Sequence, residues 1–473
     1  MRGFLSMAIL VVVGAPAFGG TSILPKDLRL SGPNSFQRVM VVEEDGAGNV
    51  SGEAGSVSLV AADRAVAVVE DGMVIPRGNG RTTIIAKTEG GEVARTVVEV
   101  SGFGEEAEWS FRNHVQAVLS KNGCNMGACH GAVAGKGGFR LSLRGYDYES
   151  DFHTITREAR GRRVELGDPA RSLLLIKGTT AVKHTGGRRL EADSFDYRVI
   201  AEWIASGAPP PTEADISLVG LEIFPGLSLL SPGDRARFIV RARYSDGREE
   251  DVTQWAKFTS TNDAVVNVDD DGNAEVIGYG EGAVTAWFSS QVVIARMSVP
   301  FPNDVAGALY AGAAKRNFVD ERVLEQLRRL HLKPSARTTD AEFIRRVYVD
   351  TIGVLPTVSE VRAFLEDERD GKRDALIDVL LERPEFVDYW AYRWSDLMLV
   401  NGRKLRPEAV KAYYSFIRDT VAANTPWDDF ARQVVTATGE SSENGATNFF
   451  AVHQDPENMA ENVSQVFLSL SIN

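Results

Sequence analysis

Cys124 and Cys129 are the only two cysteines in 473 residues, and His130 follows the second directly. Thiols this close to an imidazole offer four kinds of chemistry. They can add to the two vinyl groups of a haem while the histidine ligates its iron. The common spacing for that is C-x-x-C-H; here it is C-x-x-x-x-C-H, with Gly127 able to relieve the longer loop. They can close a small disulfide, as exported cysteines do. They can join other histidines around zinc, although adjacent Cys129 and His130 do not suit the usual ligand spacing. Or both thiols can stay free. A haem iron takes one or two axial ligands, and His130 is the proximal one by position. No methionine stands between residues 131 and 215, and Met126 lies inside the loop. The second ligand is then a histidine, drawn from His114, His153 and His184, or the sixth position is open. His184 begins a glycine-rich turn, Gly186-Gly187, just ahead of a closing helix, and is the expected distal ligand.

Two helices must position these groups. Phe111, Val115, Val118 and Leu119 share one helical face, and Asn122-Gly123 stops that helix immediately before Cys124. Further on, Asp196 can cap a helix whose face carries Tyr197, Ile200, Trp203 and Ile204, ended by Gly207 and Pro209-Pro210-Pro211. On either side the chain reads as short strands with turn signals between them. Residues 21–101 contain Ala65-Val66-Ala67-Val68-Val69, then Asp71-Gly72, then Thr82-Thr83-Ile84-Ile85-Ala86. Residues 216–302 repeat that order with Ala264-Val265-Val266-Asn267-Val268, then Asp271-Gly272, then Ala283-Val284-Thr285-Ala286. Such punctuation and such a repeat predict two β-sandwiches. From residue 318 the period becomes helical, and Thr339 with Glu342, and Thr357 with Glu360, form capping-box pairs.

Particular resemblances follow from these residues. The stretch from Cys124 to Gly131, with Gly137-Gly138-Phe139-Arg140-Leu141, Asp168-Pro169, Ser172-Leu173-Leu174-Leu175, His184-Thr185-Gly186-Gly187 and Trp203-Ile204-Ala205-Ser206-Gly207, resembles the planctomycete-type cytochrome c domain over residues 105–211. The resemblance implies a small all-α domain with haem c held covalently by Cys124 and Cys129, and with crossed terminal helices framing it. Many cytochromes c carry their distal methionine where His184 stands. Pro232-Gly233, the strand Phe238 to Tyr244, Asp246-Gly247 and Asp251-Val252-Thr253 resemble the bacterial Ig-like group 2 domain, the second copy more closely than the first; such domains are spacers or adhesion modules. Residues 318–473, with Arg383-Pro384-Glu385-Phe386 and the run from Tyr389 to Leu397, are similar to an uncharacterised helical domain that commonly follows planctomycete-type cytochrome c domains. In that family the chain usually continues, so a truncated product is expected here.

The expected organisation is therefore multidomain: a signal peptide at 1–20, an Ig-like sandwich at 21–101, the cytochrome c-like domain at 105–211, a second Ig-like sandwich at 216–302 and a mainly α domain at 318–473. Arg2, the apolar run from Met7 to Val13 and Ala15-Pro16-Ala17 read as the secretory signal, with no transmembrane segment in the mature chain and an exported destination, periplasm or cell surface. A net charge of −13 with a pI near 5.2 argues against a nucleic-acid binder. The arginine clusters Arg160-Gly161-Arg162-Arg163 and Arg188-Arg189 read as solvated surface, or as groups facing haem propionates or an acidic redox partner. The leading expectation is an exported c-type haem protein that transfers electrons to a redox partner, with cell-surface or carbohydrate contact through the Ig-like modules. One rival is a surface adhesion or scaffold protein with a Cys124–Cys129 disulfide. The other is a secreted enzyme acting on complex carbohydrate; no catalytic constellation is visible, so a redox carrier is favoured over a hydrolase.

Overall fold

The computed structural model describes residues 19–105, 109–453 and 455–469. The expected signal peptide lies outside them except for Gly19 and Gly20, as do the last four residues. The described chain is β-rich in its first half and helical in its last third, in two compact units that divide between Pro334 and Ser335.

The repeat seen in sequence is a repeat of topology. In the first β module, Gly20–Leu24, Met40–Glu44 and Val50–Glu53 lie side by side. Leu28–Ser31, Gly91–Ser101, Gly80–Thr88 and Ser58–Ala61 form a second sheet, and Gln37–Arg38, Met73–Pro76 and Ala67–Glu70 a third. The second module has the same three groups in the same order. They are Leu218–Phe224, Ile239–Tyr244 and Glu249–Asp251; then Leu227–Leu229, Gln291–Val299, Gly280–Phe288 and Lys257–Ser260; then Arg235–Arg237, Asn273–Val276 and Val266–Val268. In both copies the second strand runs parallel to the last, Val98 opposite Leu28 and Arg296 opposite Leu227. Alternate burial along Gly80–Thr88 and Gly280–Phe288 follows from the two-residue period of a strand with one face on a core.

The two modules are clamped together. Val50 pairs with Ser228, joining a sheet of each into one seven-stranded sheet. Leu24, Met40, Val42 and Val50 share an apolar cluster with Ile239. The buried Asp251 carboxylate accepts from the Arg38 guanidinium at 2.9 Å and from the Arg38 backbone N–H at 2.6 Å.

Between the modules the chain is helical, and among its described residues no strand occurs from 109 to 211. The leading helix opens with a π turn, Phe111–Val115, and continues as Gln116–Lys121. Phe111, Val115, Val118 and Leu119 are all buried, as their spacing predicts. The closing helix, Phe195–Ala205, buries Val199, Ile200, Trp203 and Ile204 against it, with Phe111 and Trp203 rings 5.3 Å apart. One expectation is corrected. Ser194, not Asp196, caps the closing helix, its hydroxyl accepting from the Tyr197 N–H. Asp196 instead ties three elements: it accepts from Asn122 at the end of the leading helix (2.7 Å) and from the Trp255 indole of the second β module (2.9 Å). Lys121 adds a bond to the Ala256 carbonyl at 2.8 Å. The helical segment and the second β module consequently share one core.

The helix Phe318–Arg329 groups with the first unit, because Phe301 N–H reaches the Leu330 carbonyl and Asn303 reaches that of His331. In the second unit Asp340–Ile352, Val358–Glu366, Lys372–Leu381 and Pro384–Leu397 pack around Ile344, Tyr348, Ile352, Phe364 and Leu380. Pro407–Ala422, Trp427–Val435 and the helices after them enclose Tyr413, Ile417, Phe430 and Phe449. The Thr339–Glu342 and Thr357–Glu360 capping boxes are both formed. No described helix is long and apolar enough to cross a membrane.

Candidate functional site

The loop from Cys124 to Gly131 is folded by its own backbone. Cys124 N–H bonds to the Leu119 carbonyl, Cys129 N–H to that of Met126, and His130 N–H back to that of Cys124 at 3.0 Å. Gly131 then passes so close to the loop that a Cβ there would collide with the Asn125 carbonyl. This is why a glycine must follow the histidine. Asn125 is fully buried and donates to Ser120 Oγ at 2.8 Å, pinning the loop to the leading helix. Both thiols are free. Cys124 packs against the helical core, and burial pushes its thiol up to about 11. Arg189 approaches Cys129 Sγ, 3.8 Å away.

His130 and His184 are brought together from distant positions. Their ring centres are 6.2 Å apart and their planes differ by 16°. Each ring is held in the same way: His130 Nδ1 lies 3.0 Å from the Phe139 carbonyl and His184 Nδ1 lies 2.8 Å from the Gly187 carbonyl. A carbonyl only accepts, so each Nδ1 carries a proton, and in the neutral ring the lone pair is on Nε2. Burial holds His130 below the usual histidine range, which keeps it neutral and able to donate that lone pair. Gly186 is a second close approach, because a Cβ there would sit 2.9 Å from His184 Cε1.

The other expected candidates lie elsewhere. His153 is exposed on the helix Tyr148–Thr156. His114 is buried rather than at the surface; it accepts from the Ser110 N–H and bonds Glu250 at 3.2 Å. It lines a cavity of about 490 Å³ between the modules, away from the cysteine loop. There Asp246, Glu250 and Asp251 are already paired with Arg248, His114 and Arg38. Arg163, expected at the solvated surface, is buried. It donates to the Thr154 and Gly138 carbonyls and covers the Phe139 ring at 4.5 Å. It thereby fixes the hairpin whose carbonyl orients His130. Sequence reasoning also passed over Asp151, a buried carboxylate that gathers Ser142 and Gln116. A carboxylate's burial leaves no mark on spacing. Among the described residues no group of three or more His, Cys, Asp or Glu is placed to hold a bare metal ion.

Fold and site together define a clamped pair of β repeats that carries a helical segment with two neighbouring imidazoles and two thiols. Residues 318–473 match the family described as PSCyt2, a protein of unknown function (DUF1549), in keeping with the helical resemblance read from that segment. No curated protein matches the chain. Among solved structures, domains 5–6 of the S-layer protein SbsC align at 10% identity and a TM-score of 0.25, covering 59% of this chain and 96% of that one. Domains 4 and 5 of the same protein give 10% and 0.16 over 55% and 89%. Invasin, described as a bacterial integrin-binding protein, gives 12% and 0.12 over 60% and 59%. Alignments this loose carry no weight for function.

Proposed function

We propose that this is an exported electron-transfer protein whose residues 105–211 hold haem c covalently. Cys124 and Cys129 are the attachment thiols, and His130 and His184 the proximal and distal iron ligands. One observation carries the reading: two imidazoles, nearly parallel, 6.2 Å between centres, with both Nδ1 protons committed to carbonyls. Metal–imidazole bonds of about 2 Å would put each ring centre roughly 3 Å from a shared metal, a reach that the spacing of these two rings allows. A porphyrin brings its own four nitrogens and asks the protein for only these two donors, which suits a site with no third ligand. Val133 and Val182, 88% and 43% exposed, are apolar surface on the two histidine loops.

When bound, the haem supplies a one-electron couple. The residues do the rest. Cys124 and Cys129 would hold the group through thioethers, by addition of each S–H across a C=C, in which nothing is oxidised and nothing leaves. The Phe139 and Gly187 carbonyls fix the tautomer and angle of the two rings. With His130 and His184 both donating to the iron, no position would be left for a substrate, which would favour electron transfer. The N-terminal sequence supports export, to the periplasm or the cell surface.

The test is the full chain made with a haem-attachment system. A pyridine haemochrome spectrum should show thioether-linked haem, and the intact mass should rise by one haem. Cys129→Ala should keep at most one thioether, and Cys124→Ala with Cys129→Ala should keep none. An unchanged mass with a mapped Cys124–Cys129 disulfide would instead favour a surface scaffold. Two β modules of identical topology clamped into one body are the observation on that side.

A further inference from the structure

We propose that the two loops carrying His130 and His184 form a cationic docking face for an acidic electron-transfer protein. The proposal rests on the haem reading above. Residues 109–211 hold fifteen Lys and Arg against ten Asp and Glu, in a chain whose net charge is −13. The surplus is concentrated on the histidine loops. Lys136 and Arg140 flank Phe139, whose carbonyl orients His130, and both are exposed. Lys183 directly precedes His184 and is exposed as well. None of these three has an acidic partner within ion-pair distance among the described residues, whereas neighbouring Arg188 is neutralised by Glu191 at 3.0 Å. Arg189 points inward instead, to the Gly186 carbonyl and Cys129.

Exposed Val133 and Val182 lie on the same loops. Apolar contact within a charged rim is the make-up of a transient protein interface. Salt screens charges beyond roughly 10 Å at 0.1 M. A partner at this face therefore feels the local cations more than the distant acidic surface, and its carboxylates are drawn to the site.

The probe for the haem-loaded full chain is hexacyanoferrate(III), an anionic oxidant of the reduced protein. For a body of net charge −13 its rate should rise with salt. If the face governs approach, the rate falls, by roughly fivefold or more between low and physiological ionic strength. Lys136→Glu with Arg140→Glu and Lys183→Glu should reverse that slope while the haem spectrum is kept. An equal reversal at exposed Arg81, Lys87 and Arg95 of the first β module should leave it. Without haem, wild-type full chain should bind polyglutamate at low salt and the loop variant should not. A wild-type rate that rises with salt overturns the proposal, as does a loop variant with a shifted potential and an unchanged slope, which would assign the cations to the haem propionates. Absence of a haem spectrum overturns the haem reading and the proposal with it.

Discussion

The His184 ring is held by its own turn: Nδ1 faces the Gly187 carbonyl, and Gly186 leaves room for Cε1. Exchanging the side chain therefore changes the donor more than the loop. With haem in place, His184→Met should raise the reduction potential, since a thioether favours the ferrous state relative to a second imidazole. His184→Ala should open the position, and the ferrous protein should then bind carbon monoxide, read from its Soret shift. Wild-type ferrous protein that binds carbon monoxide as readily as the alanine variant would remove His184 from the site. At this scale Cys124, Cys129 and His130 are legible by their spacing, and His184 by its place on a glycine-rich turn ahead of the closing helix with no methionine in the stretch. The sequence could not carry the carbonyls of Phe139 and Gly187, because a backbone acceptor has no letter of its own.

Among elements, the junction between the leading helix, the closing helix and the second β module turns on Asp196. Its carboxylate gathers Asn122, two residues before Cys124, and Trp255. Bonds to a charged group contribute about 1.5–3 kcal/mol each, so Asp196→Ala should cost about 3 kcal/mol or more in urea unfolding. Asp196→Asn should recover part of that. A loss below 1 kcal/mol would show that the apolar core alone fixes the helices. The helix faces, capping boxes and strand repeat were legible because each is a local, periodic pattern. The roles of Asp196 and Arg163 were not. Their partners lie far along the chain, and a charged side chain reads as exposed until the fold buries it.

For the whole molecule, the clamp between the β modules makes one body of what the sequence suggested were separate spacers. Asp251 is its polar centre, and removing one member of a buried pair costs about 3–5 kcal/mol. Asp251→Ala should therefore lower the thermal midpoint of the first unit while residues 335–473 unfold as before, so that one calorimetric transition moves and the other stays; equal shifts in both would refute this. The same clamp sets an order of assembly. Arg38 and Asp251 are 213 positions apart, and closing so long a loop is slow on entropic grounds. The cysteine loop closes over a few residues, and Arg189 reaches Cys129 across only 60. The helical segment can thus take shape while the two β modules are still apart, so any agent that acts on Cys124 and Cys129 would meet them on a nascent segment before the last long-range pairing locks around it.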